Sequence, residues 1–152
     1  MKKEKLEKEG WKQVIAGVYI KQLLDKAKLG DLRGSTYEWK EITAQNIVQL
    51  SIYNRKSGVT FANHFHKGAD PSKNPELFVV TRGEVEVAAY NNHTQERDTF
   101  TLTAGMVIAL EPYVLHVFKA LSDVCLVEPR VTCFNEQTPD TYPAEEYELV
   151  TI

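Results

Sequence analysis

Residues 62–87 read ANHFHKGADPSKNPELFVVTRGEVEV. Two runs rich in β-branched and aromatic residues, ELFVV and EVEVAAY, follow the histidines and are separated by TRG, a turn sequence. Strict alternation in EVEVAAY predicts that its valines point inward while Glu84 and Glu86 meet water. The stretch therefore predicts strands with one buried face. The polar side chains on that face, beginning with His64 and His66, are the features to explain.

The rest of the chain repeats this pattern of short strands and turns. The other runs are GVYIKQLL, NIVQLSIYN, VTFANHFH, DTFTL, MVIAL, VLHVFKAL and VCLVEPRV. After residue 30 no segment keeps the i, i+3, i+4 apolar spacing of a helix over three turns, which excludes crossover helices and a parallel α/β sheet. Eight or more short antiparallel strands predict an all-β sandwich or jelly roll.

Size and composition limit the class of protein. A chain of 152 residues has the usual size of one domain, so we expect a single domain over residues 1–152. The formal net charge is −3 and no basic run would grip a phosphate backbone, so nucleic acid is not an expected partner. No segment approaches the ~20 apolar residues of a membrane span, and a cytoplasmic protein is expected. Cys125 and Cys133 are expected to be reduced, packed thiols.

The two ends of the chain differ from its middle. Residues 1–10 alternate Lys and Glu around Leu6, which predicts a charged tail or helix turn with little to bury. Residues 135–152, NEQTPDTYPAEEYELVTI, begin polar and end apolar. This pattern predicts a loop or strap that leads to a final edge strand.

Three of the four histidines fall on predicted inward positions. His64 and His66 lie two apart, so a strand would present both imidazoles on one face and Phe65 on the other. Alternation in VLHVFKAL turns His116 inward among small and aromatic neighbours, whereas His93 lies in the turn NNHT. Taken singly, each histidine is better explained as a hydrogen-bonded core or surface residue than as part of a site. Together they indicate a site.

A carboxylate joins the histidines. Glu76 opens the run ELFVV, and Gly83 makes the turn into EVEVAAY, which predicts that the carboxylate lies on the strand next to the histidines. Three imidazoles and one carboxylate suit zinc, iron, manganese or nickel, with water or substrate completing the shell. We therefore expect a divalent metal on His64, His66, Glu76 and His116.

The motifs resemble those of the cupin superfamily, G-x(5)-H-x-H-x(3,4)-E-x(6)-G and G-x(5)-P-x-G-x(2)-H. The matching residues are Gly58, His64, His66, Glu76 and Gly83 in the first motif and Gly105, Pro112 and His116 in the second. Nine residues, KGADPSKNP, separate His66 from Glu76 where the superfamily has three or four. The resemblance implies a double-stranded β-helix, a jelly-roll barrel, over residues 45–128.

A narrower similarity links the chain to deoxysugar cupins such as the dTDP-dehydrorhamnose epimerases. DLRGSTYE has their D-x-R-G-x(3)-E spacing, which implies that Arg33 and Glu38 bind the sugar or nucleotide. Their segment G-x-x-R-G-x-H corresponds here to GVTFANH, with Phe61 and Ala62 in place of the Arg-Gly pair. The cupin half of capsular-polysaccharide reductases is also similar, and it implies a substrate-binding role for Lys73.

These resemblances imply two exclusive roles for His64. In the epimerases and ketoisomerases a histidine at this position abstracts a proton beside a sugar ketone, a task suited to a pKa near 6.5. A histidine whose lone pair binds a metal cannot accept that proton, and catalysis would then rely on Lewis-acid polarisation, with Glu76 as ligand or base. His64 and Glu76 are therefore the candidate catalytic residues.

The expected function is that of a metal-binding cupin, a sugar-nucleotide isomerase or epimerase acting beside a keto group in polysaccharide biosynthesis. Two alternatives remain: a non-catalytic metallo-cupin that binds or senses a small molecule, and an iron-dependent dioxygenase. A small sugar or sugar nucleotide is the expected ligand, and open sheet edges predict a homodimer.

Overall fold

The computed structural model describes residues 6, 8–25, 34–40, 42 and 46–149, with side chains described as far as residue 147. Within these ranges eleven β-strands form two antiparallel sheets. The strands are β1 Lys12–Ile15, β2 Val18–Gln22, β3 Gln49–Arg55, β4 Thr60–Phe65, β5 Glu76–Arg82, β6 Glu84–Asn91, β7 Glu96–Thr103, β8 Met106–Leu110, β9 Val114–Ala120, β10 Val124–Arg130 and β11 Tyr142–Pro143. Two 3-10 segments, Pro71–Lys73 and Ala144–Leu149, lie between or after the strands. The predicted all-β jelly roll is confirmed.

One sheet has the order β1-β2-β8-β5-β10-β3 and the other β11-β4-β9-β6-β7. Consecutive strands β5 and β6 therefore lie in different sheets and do not pair. Gly83 carries the chain across with φ 83°, and a Cβ at this position would lie 2.3 Å from the carbonyl oxygen of Asp123. Only glycine fits a backbone that is both left-handed and this crowded.

The core lies between the two sheets and follows the predicted alternation. In β6, Val85 and Val87 are fully buried and Glu84 is exposed. The buried residues of this core are Ile15, Val18, Phe78, Val80, Val85, Val87, Ala89, Leu102, Ile108, Leu110, Val114, Phe118, Ala120, Val124 and Leu126. Each sheet has one apolar face. The two sheets therefore pack face to face, because this packing removes both apolar faces from water.

A smaller core covers the outer face of the six-stranded sheet. Leu6 is 2% exposed and packs with Trp11, Tyr19 and Leu23. The expectation that residues 1–10 have little to bury is therefore wrong at Leu6, while residues 1–5 and 7 lie outside the described part of the chain. No helix in the described ranges is long and apolar enough to cross a membrane.

The tail forms the predicted strap. After an exposed stretch, β11 pairs Tyr142 with Phe65 at the edge of the five-stranded sheet. Tyr147 is buried, and its hydroxyl donates toward the carbonyl oxygens of Tyr90 and Tyr113. The strap is thus fastened beside β4. Both cysteines are free, but Cys133 is exposed, so the prediction that it packs is wrong.

Strand β4 contains an irregularity that positions its side chains. Pairing with β9 runs Phe61 against Phe118 and His64 against His116, with a bulge between them. Ala62 lies in the bulge with φ 57°, a left-handed conformation rare for a residue with a Cβ. Phe61 and His64 are three apart, and the bulge allows both to line the interior, which regular alternation would forbid.

Candidate metal centre and cavity

Four side chains from both sheets converge at one end of the barrel interior. They are His64, His66, Glu76 and His116, and their candidate ligand atoms all lie within 4.8 Å of one another. The ring centre of His64 lies 4.7 Å from that of His66 and 4.9 Å from that of His116. Two donors bound to one metal ion at ~2.0–2.2 Å each can be no more than ~4.4 Å apart, so small side-chain movements would suffice.

Glu76 reaches the histidines in a way the sequence did not predict. Its strand, β5, pairs with β8 and β10 in the six-stranded sheet, whereas β4 and β9 belong to the other sheet. The expectation that Glu76 lies on a strand next to the histidines is therefore wrong. The carboxylate crosses the interior from the opposite sheet, and it is 1% exposed.

His66 and His116 are oriented by backbone carbonyls. Nδ1 of His66 lies 2.5 Å from the carbonyl oxygen of Asp140, and Nδ1 of His116 lies 3.0 Å from that of Val114. A carbonyl oxygen only accepts, so each Nδ1 carries the hydrogen and each Nε2 is left with its lone pair when the ring is neutral. This is the arrangement in which proteins hold histidine ligands of metals.

Both lone pairs point at the same carboxylate oxygen. Nε2 of His66 lies 2.9 Å from Oε2 of Glu76, and Nε2 of His116 lies 3.3 Å from it. His116 Nε2 is buried without a hydrogen-bond partner. Three acceptors facing one another repel unless a cation or a proton lies among them. The residues therefore fit a metal ion.

His64 differs from the other two histidines. Within the described residues its ring makes no hydrogen bond, and it lines the cavity. Burial and the neighbouring His116 and His66 lower the pKa of His64 to about 3. The ring is therefore neutral at pH 7 with a free lone pair, as a metal ligand requires. A base of this pKa is poorly matched to proton abstraction at neutral pH.

Lys73 fixes the orientation of Glu76. Its ammonium donates to Oε1 of Glu76 at 2.5 Å and to Oε1 of Glu128 at 2.6 Å. Burial of Glu76 alone would raise the pKa of its carboxyl, but the charge of the paired Lys73 ammonium holds that pKa well below the usual range. Oε1 is thus occupied by Lys73, and Oε2 faces the histidines.

The nine residues between His66 and Glu76 supply this lysine. The 3-10 turn Pro71–Lys73 is capped by Asp70, whose side chain accepts from the backbone N–H of Ser72. Lys73 is 8% exposed, whereas a lysine in a polar loop usually has a solvated side chain. It lines the cavity, as its predicted substrate-binding role requires, but its charge is committed to two carboxylates.

Two buried charged residues of this network, Glu128 and Arg130, were not among the residues predicted from the sequence. Arg130 donates to Oε1 of Glu128 at 3.0 Å and to Oδ2 of Asp70 at 2.5 Å, and both Arg130 and Glu128 are buried. Strict alternation in VCLVEPRV would have placed them on the inward face with Leu126. That signal was present, but the apolar residues of the run concealed it.

The formal charges of this network leave room for a cation. Three carboxylates, those of Asp70, Glu76 and Glu128, form ion pairs with two cations, Lys73 and Arg130, so the paired groups carry one more negative than positive charge. A cation bound beside Glu76 would offset this excess, and this is a second reason why the site fits a metal.

A cavity of about 260 Å³ opens from the cluster. Its walls are the inward side chains of β3, aromatic rings and the charged network: Gln49, Ser51, Tyr53, Arg55, Phe61, Ala62, His64, His66, Lys73, Glu76, Phe78, Leu126, Arg130, Phe134 and Thr141. The hydroxyl of Tyr53 donates to Oε2 of Glu128 at 2.7 Å. Burial and this carboxylate raise the pKa of Tyr53 to about 12, so the hydroxyl keeps its proton.

The other two predicted substrate-binding residues are Arg33 and Glu38. Arg33, with Asp31, lies outside the described residues. Glu38 does not line the cavity. Its carboxylate lies 3.9 Å from the ammonium of Lys40, and both side chains are exposed.

Comparison with known proteins places the fold. No protein-family model matches the sequence, and no curated protein matches it. QdtA, a sugar 3,4-ketoisomerase from Thermoanaerobacterium thermosaccharolyticum solved with TDP, matches with TM-score 0.67 over 91% of this chain and 100% of its own, at 14% identity. The dTDP-4-dehydrorhamnose 3,5-epimerase of Sulfolobus tokodaii matches with TM-score 0.63 over 84% and 77%, at 15% identity.

The chain has the cupin fold. A third cupin, ChmJ, a 3'-monoepimerase from Streptomyces bikiniensis solved with dTDP-quinovose, matches with TM-score 0.67 over 86% of this chain and 71% of its own, at 16% identity. These three structural neighbours are thus a sugar ketoisomerase and two epimerases. The predicted resemblance is confirmed at the level of the fold.

Proposed function

We propose that this cupin binds a divalent metal and isomerises or epimerises a sugar, carried on a nucleotide, at a carbon beside a keto group. The observation that carries the proposal is the convergence of three imidazoles and the Glu76 carboxylate at the floor of a cavity. Support for the substrate class comes from the cupins of the same fold solved with TDP or a dTDP-sugar.

The roles of the side chains follow from their contacts. His66, His116 and Glu76 would hold the metal, and His64 would complete the set. When bound, zinc, iron, manganese or nickel would supply Lewis-acid polarisation of a substrate oxygen. Lys73 keeps Oε1 of Glu76 engaged so that Oε2 faces the ligand set, and Tyr53 holds a proton on a cavity-facing hydroxyl.

The cavity suits a small polar ring. A volume of about 260 Å³ lies at the lower end of ligand pockets, which span ~300–1,000 Å³. It would admit a monosaccharide and leave a nucleotide in the mouth. Tyr53, Phe61 and Phe78 supply the aromatic faces on which sugar rings pack.

The test combines metal analysis with solvent exchange. Purified protein is expected to hold ~1 divalent ion per chain, and His116→Gln is expected to lose most of it. In D₂O the wild type should incorporate deuterium beside the keto group of dTDP-4-keto-6-deoxyglucose, and a chelator should abolish this. Full exchange by metal-free protein would contradict the metal role. Absence of exchange with all keto sugars tested would contradict the enzymatic role.

One observation favours a second candidate, a non-catalytic metallo-cupin that binds a small molecule. Within the described cavity the group best placed as a base is His64, yet its pKa of about 3 suits a ligand better than a base. Binding of a sugar nucleotide by calorimetry, without any deuterium incorporation, would favour this candidate.

The expected homodimer stays a prediction. Strand β3 lies at the edge of the six-stranded sheet, and its outer face carries Leu50 and Ile52, which are 62% and 65% exposed. Light scattering of the purified protein would test it.

A further inference from the structure

We propose that Arg55 is the anion-binding residue of this site and that it binds a phosphoryl group of the substrate at the mouth of the cavity. The inference rests on the proposed function for the identity of the cavity as a substrate site. It names a residue that none of the motifs singled out.

Arg55 is the last residue of β3 and lines the cavity. Its guanidinium lies over two aromatic rings, 5.3 Å from the centre of Tyr53 and 5.4 Å from that of Phe61. One nitrogen donates to the carbonyl oxygen of Asn54 at 3.0 Å. Among the described residues no carboxylate forms an ion pair with Arg55, so its remaining N–H groups are available.

The other cations of the cavity are already committed. Lys73 donates to the carboxylates of Glu76 and Glu128, and Arg130 donates to Glu128 and Asp70. A substrate anion bound to either of them would have to approach the buried carboxylates that already pair with that cation, and this repulsion is costly. Arg55 is the cation of the described cavity wall that can bind a substrate anion at no such cost.

The position of Arg55 also accounts for a departure from the deoxysugar motif. Where the similar enzymes have an Arg-Gly pair, this chain has Phe61 and Ala62. Ala62 has φ 57°, a backbone conformation suited to glycine, which supports the alignment of the two segments. Arg55, from the preceding strand, places its guanidinium over Phe61. The cation therefore reaches the neighbourhood of residue 61 from β3.

The chemistry of the group indicates the ligand. A guanidinium presents its donors as a planar fork that binds two oxygens of a phosphate at once. Stacking on Tyr53 and Phe61 restricts the side chain before the ligand arrives, so less conformational entropy is lost on binding. A sugar 1-phosphate and a sugar nucleotide both carry such a group next to the sugar ring.

The test measures binding of TDP, glucose 1-phosphate and glucose by calorimetry to wild type, Arg55→Gln and Arg97→Gln. Arg97, on β7, is exposed and lies outside the cavity, so its variant is the matched control. We expect Arg55→Gln to weaken the phosphorylated probes by about tenfold or more and to leave metal content unchanged. Arg55→Lys, which keeps the charge without the fork, should fall between the two.

The outcomes separate the proposals. If only TDP binds, the phosphoryl group belongs to a nucleoside diphosphate. If only glucose 1-phosphate binds, it belongs to a sugar monophosphate. Equal affinity of wild type and Arg55→Gln for every phosphorylated probe would overturn the role of Arg55, as would failure of the metal-loaded wild type to bind any of them. If the purified protein contains no divalent ion and takes none up, yet its phosphate binding depends on Arg55, the metal proposal alone would be overturned.

Discussion

The interior of the barrel has a charged half and an apolar half, and strands β5 and β9 contribute side chains to both. On β9, His116 is followed two residues later by Phe118, and on β5, Glu76 is followed by Phe78. All four side chains are buried to a similar degree. One half is charged and the other apolar, although these four side chains are all buried.

The difference shows where stability and chemistry reside. The apolar half gains free energy from each area of surface removed from water, at ~25 cal/mol per Å². The charged half pays for desolvation, and it is held only because its charges satisfy one another. The apolar end therefore stabilises the fold, and the candidate site lies at the charged end.

The largest effect is expected from breaking the charged half. Lys73→Met would leave Glu76 and Glu128 without their shared cation, and we expect a loss of ~3–5 kcal/mol in the free energy of unfolding of the metal-free protein. Urea denaturation would measure it. Lys67→Met, which removes an exposed ammonium from the ring of Tyr142, should cost ~1 kcal/mol or less. Similar values for the two variants would show that the charged half is not held by ion pairing.

A smaller effect of a different kind is expected in the apolar half. Leu102 on β7 is fully buried, and Leu102→Ala should cost ~3 kcal/mol through lost burial and the cavity left behind. The metal content of the folded variant should equal that of the wild type, because the site lies on other strands. A fall in metal content at unchanged fold, seen by circular dichroism with elemental analysis, would show that the halves are coupled.

The smallest effect concerns the bulge between the halves. Ala62→Gly should stabilise the protein by ~0.5–1 kcal/mol, because glycine adopts φ near 57° without steric cost. Ala88→Gly, at an exposed position in the regular strand β6, should destabilise it by a similar amount. Thermal melts of both variants would check the opposite signs. Equal destabilisation would mean that Ala62 is not strained.

The alternation of apolar and polar residues was sufficient to predict the strands and the inward orientation of His64, His66 and His116. Both features depend only on local spacing along the sequence. The contacts of Glu76 were not predictable in the same way. Its strand lies in the opposite sheet, and pairing between distant segments is set by the whole topology. The backbone carbonyls that orient His66 and His116 could not be predicted from the sequence either, because every residue has a carbonyl whatever its identity.

The ion pair between Lys73 and Glu128 shows a further limit of prediction from the sequence. They are 55 positions apart, and their ion pair exists only because the turn before β5 packs against the end of β10. Resemblance to known cupins singled out Lys73 but suggested a different partner for it. Arg55 was passed over because an arginine at the end of a strand, next to a turn, looks like an ordinary surface charge.

The bond from His66 to the carbonyl of Asp140 has a consequence for biosynthesis. A nascent chain that has emerged as far as residue 130 already contains every proposed ligand, yet it lacks the acceptor that fixes one imidazole. The proposed metal centre can therefore assume its final form only after residue 140 has been synthesised. Because that acceptor belongs to the main chain, no replacement of the Asp140 side chain removes it.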